Sequence, residues 1–233
     1  MKITFITGAG VSKESGIPTY RDGDDALWMN YKIDEVSTAK AWSANPAKVL
    51  EFHNMIRKKL DDVQPNAAHL AIAAAQDGHD VWVVTQNVDD LHERAGSAKV
   101  VHLHGQLRQA RSSEDTKVTF PYDKDISVGD LAPDGAQARP DVVWFGEAVE
   151  SFPSGAMKVS RADVVVVVGT SLQVWPACDL LEYVSEKARL YIVDPDSDII
   201  IPELQLAKPL LIEHVCAPAT KGVKSVINSL DKK

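Results

Sequence analysis

The sequence predicts a doubly wound, parallel α/β sheet with a small inserted lobe. Continuous β-branched runs, which suit strands buried on both faces, alternate with segments of helical period, the signature of parallel βαβ units. Four short polar or glycine-rich motifs each follow such a run directly. They are Gly8-Ala9-Gly10 after Lys2–Thr7, Gln86-Asn87-Val88-Asp89 after Val81–Thr85, His104-Gly105 after Val100–Leu103, and Gly169-Thr170-Ser171 after Val164–Val168. Finally, the polar stretch Gln106–Arg139 is too long for a plain connection.

In chain order, Lys2–Thr7 reads as the first strand. Asn45 and Pro46 supply a cap and a first-turn proline for a helix carrying Val49, Phe52, Ile56 and Leu60. Asn66 caps a second helix, Ala67–Gln76, with Gly78 just past its end. Strands follow at Val81–Thr85, Ala162–Val168 and Leu190–Val193, and Pro176 opens a helix running to about Lys187. Thr220 caps a last amphipathic helix bearing Val223, Val226, Ile227 and Leu230. Two stretches break this rhythm, Asp22–Lys40 and Gln106–Arg139. The second carries turn signals at Asp123-Lys124-Asp125 and Pro133-Asp134-Gly135 and reads as the inserted lobe, packed by Leu107, Val118, Phe120, Tyr122 and Leu131.

A chain of 233 residues fits one medium domain. The hydrophobic fraction of 45% is that of a soluble globular protein, and no apolar run approaches the length of a membrane helix. The N-terminus leads straight into a strand without a signal peptide, so a cytoplasmic location is expected. A net charge of −8 disfavours nonspecific nucleic-acid binding. Cys178 and Cys216 are too few for a disulfide framework or a four-thiolate zinc site, and both read as small buried apolar residues.

The motifs carry the chemistry. In an open parallel sheet the ligand crevice lies beyond the carboxyl ends of the strands, so the four motifs meet there. Their convergence points to a nucleotide-using enzyme. Gly8 and Gly10 let the backbone approach a pyrophosphate, although Lys13 stands where the usual dinucleotide fingerprint has its third glycine. A histidine at a strand end, as at His104, can titrate near neutral pH and act as a general base.

The continuation of the first motif raises its specificity. GAGVSKESGIPTYRDG at Gly8–Gly23, TQNVDDLHERAG at Thr85–Gly96, VHLHG at Val101–Gly105, RPDVVWFGE at Arg139–Glu147 and VVGTSLQVWPA at Val167–Ala177 together resemble the sirtuin family of NAD-dependent protein lysine deacylases. The resemblance implies one catalytic domain over residues 1–233, a Rossmann-like core with small-lobe segments at about 24–62 and 106–139. It implies NAD as co-substrate, an acylated lysine as partner, and release of nicotinamide and O-acyl-ADP-ribose. In that reading His104, Asn87 and Asp89 are catalytic, with His104 taking a proton from a ribose hydroxyl. Gly8, Ala9, Gly10, Ser12, Tyr20, Arg21, Gln86, Asn87, Asp89, Gly169, Thr170, Ser171 and Asp194 hold the dinucleotide. Val143, Trp144, Phe145, Gly146 and Glu147 form the edge on which an acyl peptide adds as a strand. Tyr20 stands where the family mostly has phenylalanine. His102, His92, His69 and His53 read as structural.

The sequence also departs from the family. Most sirtuins carry two Cys-x-x-Cys pairs between the catalytic histidine and the Trp-Phe-Gly-Glu segment; here residues 105–139 hold neither cysteine nor histidine. No zinc is expected, and packing alone must hold the lobe. The wording around Trp144 looks like the branch that removes acidic acyl groups, whose members pair a Tyr-x-x-Arg with the substrate carboxylate. The corresponding positions are His53 and Ile56, while Arg57 lies about 100° further round the helix. Uncharged acyl groups are therefore expected. Two other readings remain: an NAD hydrolase or ADP-ribosyltransferase of the same fold, and a non-catalytic NAD sensor.

Overall fold

The structure is a computed structural model that describes residues 1–19, 31–170, 177–197 and 211–232. In chain order the strands are β1 (Lys2–Thr7), β2 (Asp80–Thr85), β3 (Val100–His102), β4 (Gly105–Ser112), β5 (Thr119–Pro121), β6 (Ala138–Val142), β7 (Val164–Val168), β8 (Arg189–Asp194) and β9 (Ile212–Cys216). The helices are α1 (Ala9–Lys13), α2 (Ile33–Val36), α3 (Ala39–Ala44), α4 (Pro46–Lys59), α5 (Ala67–Ala74), α6 (Leu91–Arg94), α7 (Phe152–Ser160) and α8 (Ala219–Asp231).

Strands β3-β2-β1-β7-β8-β9 form a six-stranded sheet, parallel throughout. This is the order of a Rossmann-like doubly wound sheet, reversing direction between β1 and β7. Successive valines of β7 point to opposite faces. Val164, Val166 and Val168 pack with Ile72 of α5 and Val223 and Val226 of α8, while Val165 and Val167 pack with Ala156 and Val159 of α7 and with Leu180. Both faces are covered, which is why these strands read as unbroken apolar runs.

Strands β5-β4-β6 form a separate antiparallel sheet. Its small core is Ala110, Ile126 and Ala138 against Leu50 of α4, with Trp42, Phe120 and Tyr122 packed on it. Leu107 joins the neighbouring cluster around Phe52 and Trp144. Leu131, expected inside, is 65% exposed, because it lies in the hairpin where it bridges Gln137.

Other expectations are corrected as well. The last helix starts at Ala219 with Pro218 as its N-cap. Thr220 caps nothing; its N–H and hydroxyl both donate to the Glu14 carboxylate, at 3.1 and 2.9 Å, so a distant side chain satisfies the helix end. The stretch after Pro176, itself outside the described residues, is a 3₁₀ turn at Ala177–Tyr183. Its buried residues Ala177 and Leu180 are three apart, which suits that tighter winding. Cys216 is exposed and Cys178 only partly buried, since neither faces a core cluster. Among the described residues no helix is long and apolar enough to cross a membrane.

Candidate active site

Parallel register aligns the motifs. Thr7 pairs with both Thr85 and Val168, Thr85 with His102, and Val168 with Val193. The segments that follow these residues therefore emerge along one edge, on either side of the β1/β7 switch point where a ligand crevice is expected.

At the switch point two backbone turns touch. Gly10 N–H donates to Gly169 C=O at 2.8 Å. A Cβ at Gly10 would lie 2.7 Å from Gly169 Cα, one at Gly8 2.6 Å from Thr170 Cβ, and one at Gly169, where φ is +59°, 2.3 Å from Val11 N. The glycines thus serve first to let the turns after β1 and β7 approach. Gln86 Nε2 donates to Thr170 Oγ1 at 2.9 Å and ties the second motif to the fourth. Asp194 ends β8, its carboxylate accepting the Asp196 N–H and its carbonyl accepting from His214 Nε2. Tyr20, Arg21 and Ser171 lie outside the described residues.

Beside this cradle lies a buried polar network centred on Ser12. Asn87 Nδ2 donates to Ser12 Oγ at 3.0 Å, and Ser12 Oγ–H donates to Asp89 Oδ2 at 2.9 Å. Asp89 Oδ1 accepts the Leu91 N–H at the start of α6. His69 Nδ1 accepts the Asn66 N–H, which leaves the proton of the neutral ring on Nε2, 3.4 Å from Ser12 Oγ. Burial lowers the His69 pKa to about 4, so the ring is neutral. Burial also raises the Asp89 pKa, against the opposing hydrogen bonds from Leu91 and Ser12. Ser12, Asn87 and Asp89 form the polar wall of a cleft, with Ala9, Ile56, Val88 and Leu107 beside them.

The two histidines at the end of β3 differ. His104 lies two residues past the end of β3 and donates Nδ1–H to the carbonyl of Gln86 at 3.0 Å. Neutral His104 therefore presents an unprotonated Nε2, which no described residue engages. Burial lowers its pKa below 6.5, and the Gln86 contact only partly offsets this. His102 donates Nδ1–H to Asn87 C=O at 2.8 Å and turns Nε2 to Glu93 Oε1, also at 2.8 Å. Burial opposes its protonation, but Glu93 prevails and its pKa is raised.

The segment expected as a peptide-binding edge is largely a turn. Strand β6 ends at Val142, Gly146 takes a φ of +89°, and Glu147 N–H closes the turn onto Trp144 C=O at 3.0 Å. Val143 N–H donates to His104 C=O and Phe145 N–H to Ser37 C=O, while Trp144 N–H donates to the Glu147 carboxylate. Trp144 is buried against Arg139, whose guanidinium lies 3.8 Å from the ring centroid and pairs with Glu147 at 2.8 Å. Phe145 is 46% exposed. His53 is buried, donates Nδ1–H to Val49 C=O at 2.8 Å, and is held neutral by burial, with a pKa of about 4. Of the two residues expected in an acyl pocket, Ile56 lines the cleft and His53 is not among its lining residues.

Comparison with known proteins agrees with this architecture. The Sir2 family profile matches residues 8–176. The chain belongs to the Sir2 family. It is 46% identical over 193 residues to a Helicobacter pylori protein named NAD-dependent protein deacylase, covering 83% of this chain and 84% of that one. A Mycolicibacterium paratuberculosis protein of the same name is 39% identical over 235 residues, covering 96% of each. A crystal structure of a Sir2 homologue–NAD complex, 35% identical, superposes with a TM-score of 0.82 over 99% of this chain and 89% of that one. A mutant Sir2 homologue in complex with ADP-ribose, 34% identical, reaches 0.85 over 99% and 92%.

For a Sir2 chain the residues present fit a dinucleotide. Side-chain-free backbone lies at the switch point, and Asn87, Asp89 and Ser12 offer donors and acceptors to an amide or a sugar. Among the described residues no group of three or more His, Cys, Asp or Glu can hold a metal ion. Sequence reasoning did not single out Ile17, Pro18, Leu60, Val88 and Leu107 as cleft residues, nor His69 as the neighbour of Ser12. Leu60 was signalled, lying one helical turn after Ile56 on the same face. Leu107 carries no local signal, because only the return of β4 past α4 brings it there.

Proposed function

We propose that the protein is an NAD-dependent protein lysine deacylase that releases nicotinamide and O-acyl-ADP-ribose. Bound NAD supplies an electrophilic sugar carbon with nicotinamide as leaving group. His104 carries the reading: its Nδ1–H is tied to Gln86 C=O, and its bare Nε2 is suited to take a ribose proton. Asn87 and Asp89 orient the nicotinamide end of the dinucleotide, and Ser12 fixes both side chains. Gly8, Ala9, Gly10, Gln86, Gly169 and Thr170 support its phosphates and ribose, together with Arg21 and Ser171, while Tyr20 shields the nicotinamide pocket and Asp194 binds the adenosine end. Phe145, nearly half exposed, and the backbone of residues 143–147 receive the acyl-lysine segment. We also take residues 24–62 and 106–139 as the small lobe, and the cytoplasm as the site of action.

A second reading has one observation in its favour. The N–H groups of Val143, Trp144, Phe145 and Glu147 are all engaged within the chain, which leaves few donors for an added strand. An NAD hydrolase or ADP-ribosyltransferase needs no such strand. Nicotinamide release, measured with and without an acetyl-lysine peptide, separates the two. Release that depends on peptide supports the deacylase; equal release without peptide supports the alternative.

A further inference from the structure

Arg57 is a charged side chain held inside the protein chiefly by backbone carbonyls. It is 2% exposed. Its Nε–H donates to Leu107 C=O at 2.6 Å, and Nη1 donates to Asn54 Oδ1 at 2.7 Å and to Lys124 C=O at 3.2 Å. Asn54, almost one turn earlier on α4, completes the arrangement. Its Nδ2 donates to Ile126 C=O at 2.9 Å while its Oδ1 accepts the Ile126 N–H at 3.0 Å, which copies a strand pairing. Two side chains of α4 thus satisfy backbone groups of three lobe residues that would otherwise be orphaned at a buried junction.

The same contacts reach the cleft. Leu107 N–H donates to Val88 C=O at 2.8 Å, and both residues line the cleft. Ile56 and Leu60, on either side of Arg57 in α4, line it too. Two hydrogen bonds therefore separate the guanidinium from the segment that carries Asn87 and Asp89. Nη2 of Arg57 has no partner among the described residues, so the three acceptors alone place the group. A buried cation with a spare donor is costly, and a role in geometry accounts for it better than net stability does.

We infer that Arg57 is a positioning residue which, with Asn54, clamps β4 and the Lys124–Ile126 segment to α4 and holds the Leu107–Val88 wall of the cleft. The lobe has neither cysteine nor histidine over residues 105–139, and these side-chain-to-backbone hydrogen bonds are what join it to α4 here. The inference rests on the deacylase reading for its effect on turnover, but not for its effect on structure. The test uses the full chain, with Arg57→Met, Arg57→Lys and Asn54→Ala. Two quantities are read: amide hydrogen exchange at Leu107 and Ile126, and kcat/KM for NAD and acetyl-lysine peptide. Arg57→Met speeds exchange at both amides and lowers kcat/KM roughly 10- to 100-fold, the scale of a misplacement of about 1 Å. Arg57→Lys falls between, because an ammonium lacks the planar fork. If Arg57→Met does not fold, Asn54→Ala and Arg57→Lys decide by the same two readouts. Unchanged exchange overturns the clamp, and faster exchange with kcat/KM within about twofold of the parent overturns the positioning role. A parent protein that consumes no NAD refutes the deacylase reading instead, while exchange still decides the clamp.

Discussion

An imidazole is ready to act as a base when one nitrogen is tied and the other is bare. Gln86 C=O ties Nδ1 of His104, and burial keeps the ring neutral below its ordinary titration range. His104→Ala should cut NAD-dependent deacylation by roughly 10²- to 10⁴-fold, as expected for loss of a general base. Because the pKa is lowered, the basic form persists to more acid pH, and the acid limb of kcat/KM should fall below pH 6.5. A limb above that value contradicts the assignment. Acyl preference also belongs to single residues. Ile56 puts hydrocarbon on the cleft wall, and Arg57 is committed to backbone carbonyls. A succinyl carboxylate therefore meets no cation among the described residues that line the cleft, and acetyl- or crotonyl-lysine peptides should turn over at least about tenfold better than succinyl-lysine, the scale of an unpaired buried charge. Succinyl as best substrate removes that reading. Combining His53→Tyr with Ile56→Arg should shift the ratio toward succinyl.

Elements were legible where one physical cause controlled them. The β-branched runs of β1, β2, β7 and β8 are buried on both faces, so composition alone marks them. Asn45 and Asn66 cap α4 and α5 as read, because a side-chain oxygen facing the first N–H groups is a local event. Strand β9 escaped notice because Ile212–Cys216 sits at the sheet edge, only partly buried, and lacks a continuous apolar run. The start of α8 was misplaced because its real partner, Glu14, is 206 residues away. At this scale the glycines of the switch point make a sharp prediction. Gly169→Ala forces an L-residue into positive φ and its Cβ against Val11 N. The conformational penalty alone is about 1–2 kcal/mol, and denaturant unfolding should show at least that loss, along with weakened NAD binding by calorimetry.

For the whole molecule, two predictions follow from what the core contains. With no metal-binding group among the described residues, chelators should leave Tm and NAD turnover unchanged. A chelator-induced drop in Tm would point to a metal held elsewhere in the chain. The buried histidines set the acid response. His53 and His69 keep folded pKa values near 4 against about 6.5 unfolded, and His92 is lowered as well. Between pH 6.5 and about 4 the unfolded chain binds protons that these rings refuse, so stability is full above that window and falls within it. His102 acts oppositely, its raised pKa adding stability that is lost only as pH rises through it. The depressed groups outnumber it. His53 and His69 each contribute about 3 kcal/mol across that window, so Tm should fall steadily from pH 7 to 5, and His53→Leu should flatten that slope.

What the sequence determined alone was the periodic part and the chemistry at strand ends. Unbroken valine runs demand burial on two faces, and motifs that follow parallel strands must meet along one edge. The tertiary structure alone decided which groups are tied and which are left bare. It set Gln86 C=O on His104, Glu93 on His102, Ser37 on Phe145, and a lobe carbonyl on Arg57. These contacts join residues from separate elements, and a side chain's protonation and aim depend on neighbours that no local pattern of residues encodes.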